Sequence, residues 1–314
     1  MTQALALGID IGGTNTAFGL VTRTGEIVAK ATMPTIGHDS LKDYIAALRS
    51  NLLPMLNNVG IKNIQGAGIG APNGNYYTGE ILFAPNLPWK GRAIPLVKML
   101  EEALGLKCTL TNDANAAALG EMIYGSARGI NDFVVVTLGT GVGSGFVANG
   151  KLLYGHDGFA GELGHMIAVR DGRMCGCGRR GCLEAYCSAT GIVHTAEEWL
   201  AERIDESLLR NVEGKLTARA INDAALKGDK LALALFEYTG KILGQTLADM
   251  VVITSPQAII FFGGLARAGD LLLLPVRKYM EENMLNIFKD KVALIQSALP
   301  DADAAILGAS ALVW

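Results

Sequence analysis

DIGGTNTAFGLV, residues 10–21, decides the fold, because it reads as strand, glycine turn and strand, and because LGTGVGSGFVAN, residues 138–149, repeats that arrangement. Residues 5–11 are an apolar run ending at Asp10 and the turn Gly12-Gly13-Thr14-Asn15, and residues 17–21 and 26–31 resume strand-like sequence. The turn therefore opens a hairpin. A dinucleotide-binding G-x-G-x-x-G leads straight into a helix and a Walker A loop needs G-K-[ST], so neither reading applies. What remains is a glycine turn whose N–H groups, with the hydroxyls of Thr14 and Thr16, can cradle phosphate while Asp10 holds a hydrated Mg²⁺; the plainer alternative is a tight hairpin. Residues 133–138, a buried-type strand, lead into the matching turn Gly139-Thr140-Gly141-Val142-Gly143-Ser144-Gly145, and residues 146–154 continue as strand-like sequence. Two such turns point to a duplicated domain whose loops grip a polyphosphate from both sides of a common cleft.

Outward from the first hairpin, Asp39 or Ser40 can cap a helix over residues 41–57, with Leu41, Tyr44, Ile45, Leu48, Leu52 and Leu56 on one face. Residues 64–70 read as a strand entering Pro72-Asn73-Gly74-Asn75, and a second polar loop, Ala84-Pro85-Asn86-Leu87-Pro88-Trp89, follows. Asn75, Asn86 and Trp89 are candidates to line a site, although each type also serves as a turn residue or a packing aromatic. Residues 107–111 form a strand that delivers Asn112-Asp113-Ala114-Asn115 to a helix over 116–124. Asp113 there is either an N-cap or a carboxylate placed as a general base, and the two are compatible. Helical periodicity returns over 189–203, 217–227, 231–253, 271–284 and 303–312, and strands over 258–262 and 292–297. The strand at 258–262 ends in Gly263-Gly264, which lets a flat purine ring approach the backbone or simply turns the chain.

Cys175, Cys177 and Cys182 fall in a C-x-C-x₄-C pattern within a glycine-rich segment, with His165 upstream. Three thiolates and one imidazole suit tetrahedral Zn²⁺, and a closed set of four is structural rather than catalytic. The competing reading is a set of buried or redox-paired cysteines.

At 314 residues the chain is long enough for two packed lobes with a cleft between them. A net charge of −3 offers no electrostatic footprint for nucleic acid or an anionic membrane, so small-molecule partners are expected. The N-terminus lacks a basic region and reaches Asp10 too early for a signal peptide, and with Cys108 and Cys187 outside the metal set a reducing cytoplasm fits.

With DIGGTNTAFGL, NDANAAALGE, LGTGVGSG, GELGH, CGCGRRGCLE and FFGG in this order, the sequence resembles the ROK family of bacterial sugar kinases over nearly its whole length. The resemblance implies an actin-like (ribonuclease H-like), duplicated two-lobe α/β fold with ATP in the interlobe cleft. One lobe is expected over residues 1–117 with 301–314, carrying the first phosphate loop, the sugar loops and Asp113. The other is expected over 118–300, with the second phosphate loop, the zinc loop and the adenosine site. Asp113 then matches the catalytic base. Asn112, Asp113, Glu162, His165 and Glu184 match ligands of sugar hydroxyls, and His165, Cys175, Cys177 and Cys182 the zinc ligands. Asp10 (with Mg²⁺), Gly12, Gly13, Thr14, Asn15, Thr140, Gly141, Gly263 and Gly264 are the expected ATP contacts.

The family's P-G-x-V-D appears here as Pro72-Asn73-Gly74-Asn75-Tyr76, and its N-L-P-G-W as Asn86-Leu87-Pro88-Trp89. Both departures bear on the identity of the sugar. ROK repressors carry an added N-terminal helix-turn-helix, for which a fold beginning at Leu5 leaves no room. The expectation is an ATP-dependent hexokinase, foremost a glucokinase acting on the 6-hydroxyl. An N-acetylhexosamine kinase, a fructokinase or a sugar-responsive regulator is the alternative, and a homodimer or homotetramer is implied.

Overall fold

The computed structural model describes residues 3–83, 87–89, 93–204 and 206–314. Two compact units share the chain: Met1–Gly129, Lys151–Ala160 and Ala298–Trp314 form the first, and Ile130–Gly150 and Gly161–Ser297 the second. In chain order the first unit holds β1 (Leu5–Ile11), β2 (Asn15–Thr22), β3 (Ile27–Pro34), α1 (Leu41–Val59), β4 (Ile64–Gly70), β5 (Ile81–Leu82), β6 (Ala93–Ile94), α2 (Leu96–Leu104), β7 (Cys108–Thr111) and α3 (Asp113–Ile123). Then come β8 (Phe133–Leu138) and β9 (Val142–Ala148) of the second unit, and β10 (Lys151–Leu152) of the first. The second unit continues with α4 (Glu184–Cys187), α5 (Ala189–Glu202), α6 (Ala218–Leu226), α7 (Lys230–Thr254), β11 (Ala258–Phe262), α8 (Asp270–Asn283) and β12 (Ala293–Gln296); α9 (Asp301–Ala311) ends the first. A division after residue 117 would cut α3, whereas the first unit keeps this helix whole and also takes residues 151–160.

The first sheet runs β3-β2-β1-β4-β7, with β1 antiparallel to β2 and parallel to β4. Strand β1 is apolar from Leu5 to Ile9, where both faces are covered, and carries Asp10 near its C-terminal end. On one face α1, capped by Ser40, lays down Tyr44, Ile45, Leu48, Leu52 and Leu56. On the other, α9 sits directly on the strands. That approach requires glycine: a Cβ on Gly8 would run into the Ile306 carbonyl, and one on Gly68 into that of Ala309.

In the second unit β9, β8, β11 and β12 lie side by side in that order, β8 antiparallel to β9 and parallel to β11. The order repeats β2-β1-β4-β7 of the first unit, so the duplication read from the two glycine turns is present in the topology. Val134, Val136, Leu138, Ile259 and Phe261 form a core with α5, α7 and α8. The second turn is shorter than expected, since Val142 already pairs with Leu138 and β9 takes in residues 142–145, and the strand expected over 146–154 is interrupted. Asn149 (φ 51°) and Gly150 (φ 70°) both take the left-handed conformation that an Asn-Gly pair favours, and β9 turns there. Among the described residues no helix is long and apolar enough to cross a membrane.

Candidate active site

In the first unit, the sheet register brings Asp10, Gly70 and Thr111 abreast at the C-terminal ends of the parallel strands β1, β4 and β7. Open α/β sheets present functional groups at these ends. The Cβ position of Gly70 lies 3.4 Å from both Asp10 Oδ1 and Ala116 Cβ and 3.8 Å from the Asp113 Cα, which sets the two acidic residues about the same strand end. The N-cap of α3 is Asn112 and not Asp113: Asn112 Oδ1 accepts the N–H groups of Ala114 (2.8 Å) and Asn115 (3.1 Å). Asp113 stands in the first turn, its Oδ1 accepting the Ala114 N–H at 2.8 Å.

Asp113 is open to solvent on one side and crowded by protein on others; the first governs access, the second the proton. Burial raises its carboxyl above the ordinary carboxylate range, against hydrogen bonds from the N–H groups of Ala114 and Asp113 itself. Burial, and then the charge of Asp113, push the Asp10 carboxyl up to about 7. Two raised acids side by side make a poor anion pair, and the pairing suits either a bound cation or a base that takes protons near neutral pH.

The first hairpin turn closes with Gly12 N–H donating to the Asn15 carbonyl at 3.0 Å, and leaves Thr14 and Asn15 exposed. Thr16, considered above as a phosphate ligand, does not face outward. Its hydroxyl is fully buried among Thr35 Oγ1 (2.8 Å) and Tyr44 Oη (2.7 Å), because Thr16 lies on the inner face of β2. Asn75 is 1% exposed. Its Nδ2 donates to the Asp157 carbonyl at 2.6 Å and its Oδ1 accepts the N–H groups of Tyr77 and Thr78, so its amide holds loop to loop. Asn86 lies outside the described residues. Trp89 is buried and tilts over Tyr44 with ring centroids 4.4 Å apart, a packing role.

In the second unit, β8 and β11 end together, Thr137 beside Phe262, and so place Gly139-Thr140-Gly141 next to Gly263-Gly264. Gly263 (φ 102°) packs on Leu138, whose carbonyl a Cβ would meet at 2.7 Å, while Gly264 has nothing within 4 Å of that position. One glycine is thus needed for packing and the next leaves open backbone. Glu184 Oε2 accepts the Val142 N–H at 3.0 Å, and Glu162 is exposed just before the short turn Leu163–His165.

The cysteine–histidine set also lies in this unit. One ligand atom from each of His165, Cys175, Cys177 and Cys182 falls within 4.8 Å of the others. The Cys177 and Cys182 sulfurs are 3.6 Å apart, far beyond a disulfide bond, and Cys175 Sγ is 3.9 Å from His165 Nδ1. Thiolates about 2.3 Å from a tetrahedral ion lie about 3.8 Å apart. The donor set and its spacing therefore fit zinc. Because Nδ1 faces the sulfurs, Nε2 is the ring nitrogen left for another partner.

Several supporting residues carry no local sequence signal. Arg173 pins the cysteine loop to α5: its Nε donates to Glu198 Oε1 (2.9 Å), its Nη2 to Thr195 Oγ1 (3.1 Å), and it stacks 4.7 Å over Tyr186. Tyr76 stacks on Tyr154 with centroids 4.0 Å apart, and Tyr77 Oη donates to the Gly155 carbonyl at 2.9 Å. These contacts join segments distant in sequence.

The profile of the ROK family matches residues 6–314. A glucokinase of Thermotoga maritima is 36% identical over 318 residues, covering 100% of this chain and 98% of the relative. An N-acetylmannosamine kinase of Escherichia coli is 34% identical, covering 98% of this chain and 97% of that one. Among solved structures, a ROK family glucokinase from Streptomyces griseus in complex with glucose and AMPPNP superposes with a TM-score of 0.82 at 32% identity, covering 98% of this chain and 99% of that one.

Proposed function

The chain belongs to the ROK family and is a sugar kinase, and on that premise we propose that it transfers the γ-phosphoryl group of ATP to the 6-hydroxyl of glucose. The observation that carries this reading is the pair Asp10 and Asp113 over Gly70, a raised acid accessible to substrate beside a second that suits a cation. Asp113 accepts the proton of the 6-hydroxyl as its oxygen bonds to the γ-phosphorus; the bond to the bridging oxygen breaks, ADP leaves, and the proton stays on Asp113. The Nδ2 of Asn112, whose Oδ1 is committed to the helix, together with Glu162, His165 Nε2 and Glu184, takes the remaining sugar hydroxyls. Asn86 belongs to the same ligand set, and Asn75 acts through the loop it holds. Gly12, Gly13, Thr14 and Asn15 of one hairpin and Thr140 and Gly141 of the other take the phosphates, and Gly263-Gly264 the adenine ring.

Mg²⁺ held by Asp10 through water would neutralise charge on the phosphates. Zinc on His165, Cys175, Cys177 and Cys182 would fix the ring orientation of His165 and leave its Nε2 as a donor. We place the protein in the cytoplasm, where its five unpaired thiols stay reduced, as a homodimer or homotetramer.

An ADP-release assay across glucose, N-acetylglucosamine, N-acetylmannosamine, mannose, fructose and allose tests the reading, with the highest kcat/KM expected for glucose. The N-acetylmannosamine kinase relative, nearly as similar as the glucokinase, favours the second reading. A higher kcat/KM for N-acetylmannosamine would replace the acceptor while keeping the reaction. No turnover with any hexose would overturn both.

A further inference from the structure

Segment 161–184 carries the metal ligands, and both of its ends close on the first residues of β9. At one end, Ser144 Oγ donates to the Gly161 carbonyl and accepts the Leu163 N–H (3.2 Å), and a Cβ on Gly164 would run into the Val142 carbonyl. At the other end, Glu184 Oε2 accepts the Val142 N–H at 3.0 Å. A Cβ on Gly141 would run into that same oxygen, so the turn is shaped to admit the carboxylate. Val142 is 6% exposed and follows the tight turn in which Gly139 N–H donates to the Gly141 carbonyl at 3.0 Å. Without Glu184 its N–H would be a buried donor lacking an acceptor, which a turn of this length relieves by changing shape.

We propose that Glu184 is a positioning residue for the second glycine hairpin: by holding the Val142 N–H it keeps the 139–141 turn in one conformation. The proposal rests on the nucleotide reading of this hairpin only for its effect on binding. Glu184 Oε2 holds the turn while Oε1 lies 3.6 Å from Cys175 Sγ, so a residue expected to serve the sugar sits between the metal loop and the backbone that serves the phosphate. The ends of the metal loop and the hairpin then respond together.

Hydrogen exchange of peptides spanning 139–145, AMPPNP–Mg²⁺ titration calorimetry without sugar, and zinc content test this on Glu184→Ala and Glu184→Gln. Glu184→Ala is expected to speed exchange at Val142 at least about tenfold and to weaken AMPPNP about tenfold, with zinc retained. Glu184→Gln, whose amide oxygen still accepts the N–H, keeps both within about threefold of wild type. If the Ala variant does not fold, Glu184→Asp, which withdraws the carboxylate by one methylene, takes its place. Unchanged exchange at Val142, or a Gln variant as impaired as Ala, overturns the proposal. Faster exchange with unchanged AMPPNP affinity keeps the brace and overturns the nucleotide assignment instead.

Discussion

The hairpin at residues 12–15 and the hairpin at 139–141 grow from the same arrangement, an antiparallel strand pair with a parallel neighbour, yet they are held in opposite ways. The first is supported by neutral hydroxyls, Thr16 with Thr35 and Tyr44, and two acids with raised carboxyls stand near it. The second is supported by an acid, since Glu184 turns its carboxylate onto the hairpin's own backbone. Duplication thus supplied one scaffold twice. The first copy holds the proposed base and the proposed cation ligand; in the second the carboxylate braces the turn.

The largest expected effect is at the acids. Asp113→Asn should lower kcat by about 10²–10⁴ while leaving glucose affinity in calorimetry near wild type. The variant loses no helix cap, since that is Asn112, and because burial raises the Asp113 carboxyl, removing its charge should not lower stability at neutral pH. Retained turnover would place the base elsewhere and erase the contrast between the hairpins. Next is the metal loop: Cys177→Ala should lose zinc by elemental analysis and lower glucose affinity at least about tenfold. A metal-free protein with full affinity contradicts the scaffold role.

Asp10 gives a smaller, pH-dependent effect. Its carboxyl moves from an ordinary 3.8 to about 7, so the folded state holds that proton more tightly than the unfolded chain. The associated stability is complete below about pH 4, falls as pH rises toward 7 and is gone above it. In metal-free protein, Asp10→Asn should therefore match the wild-type Tm near pH 4 and exceed it at pH 8. A parallel offset at both values would remove Asp10 as the cause. Smallest is Tyr44→Phe, which leaves Thr16 paired with Thr35 and should cost about 0.5–1.5 kcal/mol in denaturant unfolding, with kcat unchanged.

The parts legible in the sequence are those encoded locally. Glycine turns between apolar runs specified both hairpins, and three cysteines in one loop specified a metal set, because the chemistry lies within a few residues. Asp113 was read as a possible cap, but β7 ends at Thr111 and gives that position to Asn112. Thr16 looked like a phosphate ligand until strand alternation turned it inward. Glu184 over Val142, Ser144 over Leu163 and the tyrosines at 76, 77 and 154 were beyond reach, since each contact joins segments far apart in the chain. Local periodicity carries no information about such pairs.

The central claim is that the chain moves a phosphoryl group from ATP to a hexose 6-hydroxyl with Asp113 taking the proton. ³¹P NMR of wild-type protein with glucose, ATP and Mg²⁺, run beside Asp113→Asn, tests it most directly. The account predicts glucose 6-phosphate and ADP in equal amounts from the wild type and almost none from the variant over the same time. ATP hydrolysed to free phosphate without a sugar phosphate, or equal product from both proteins, would contradict it.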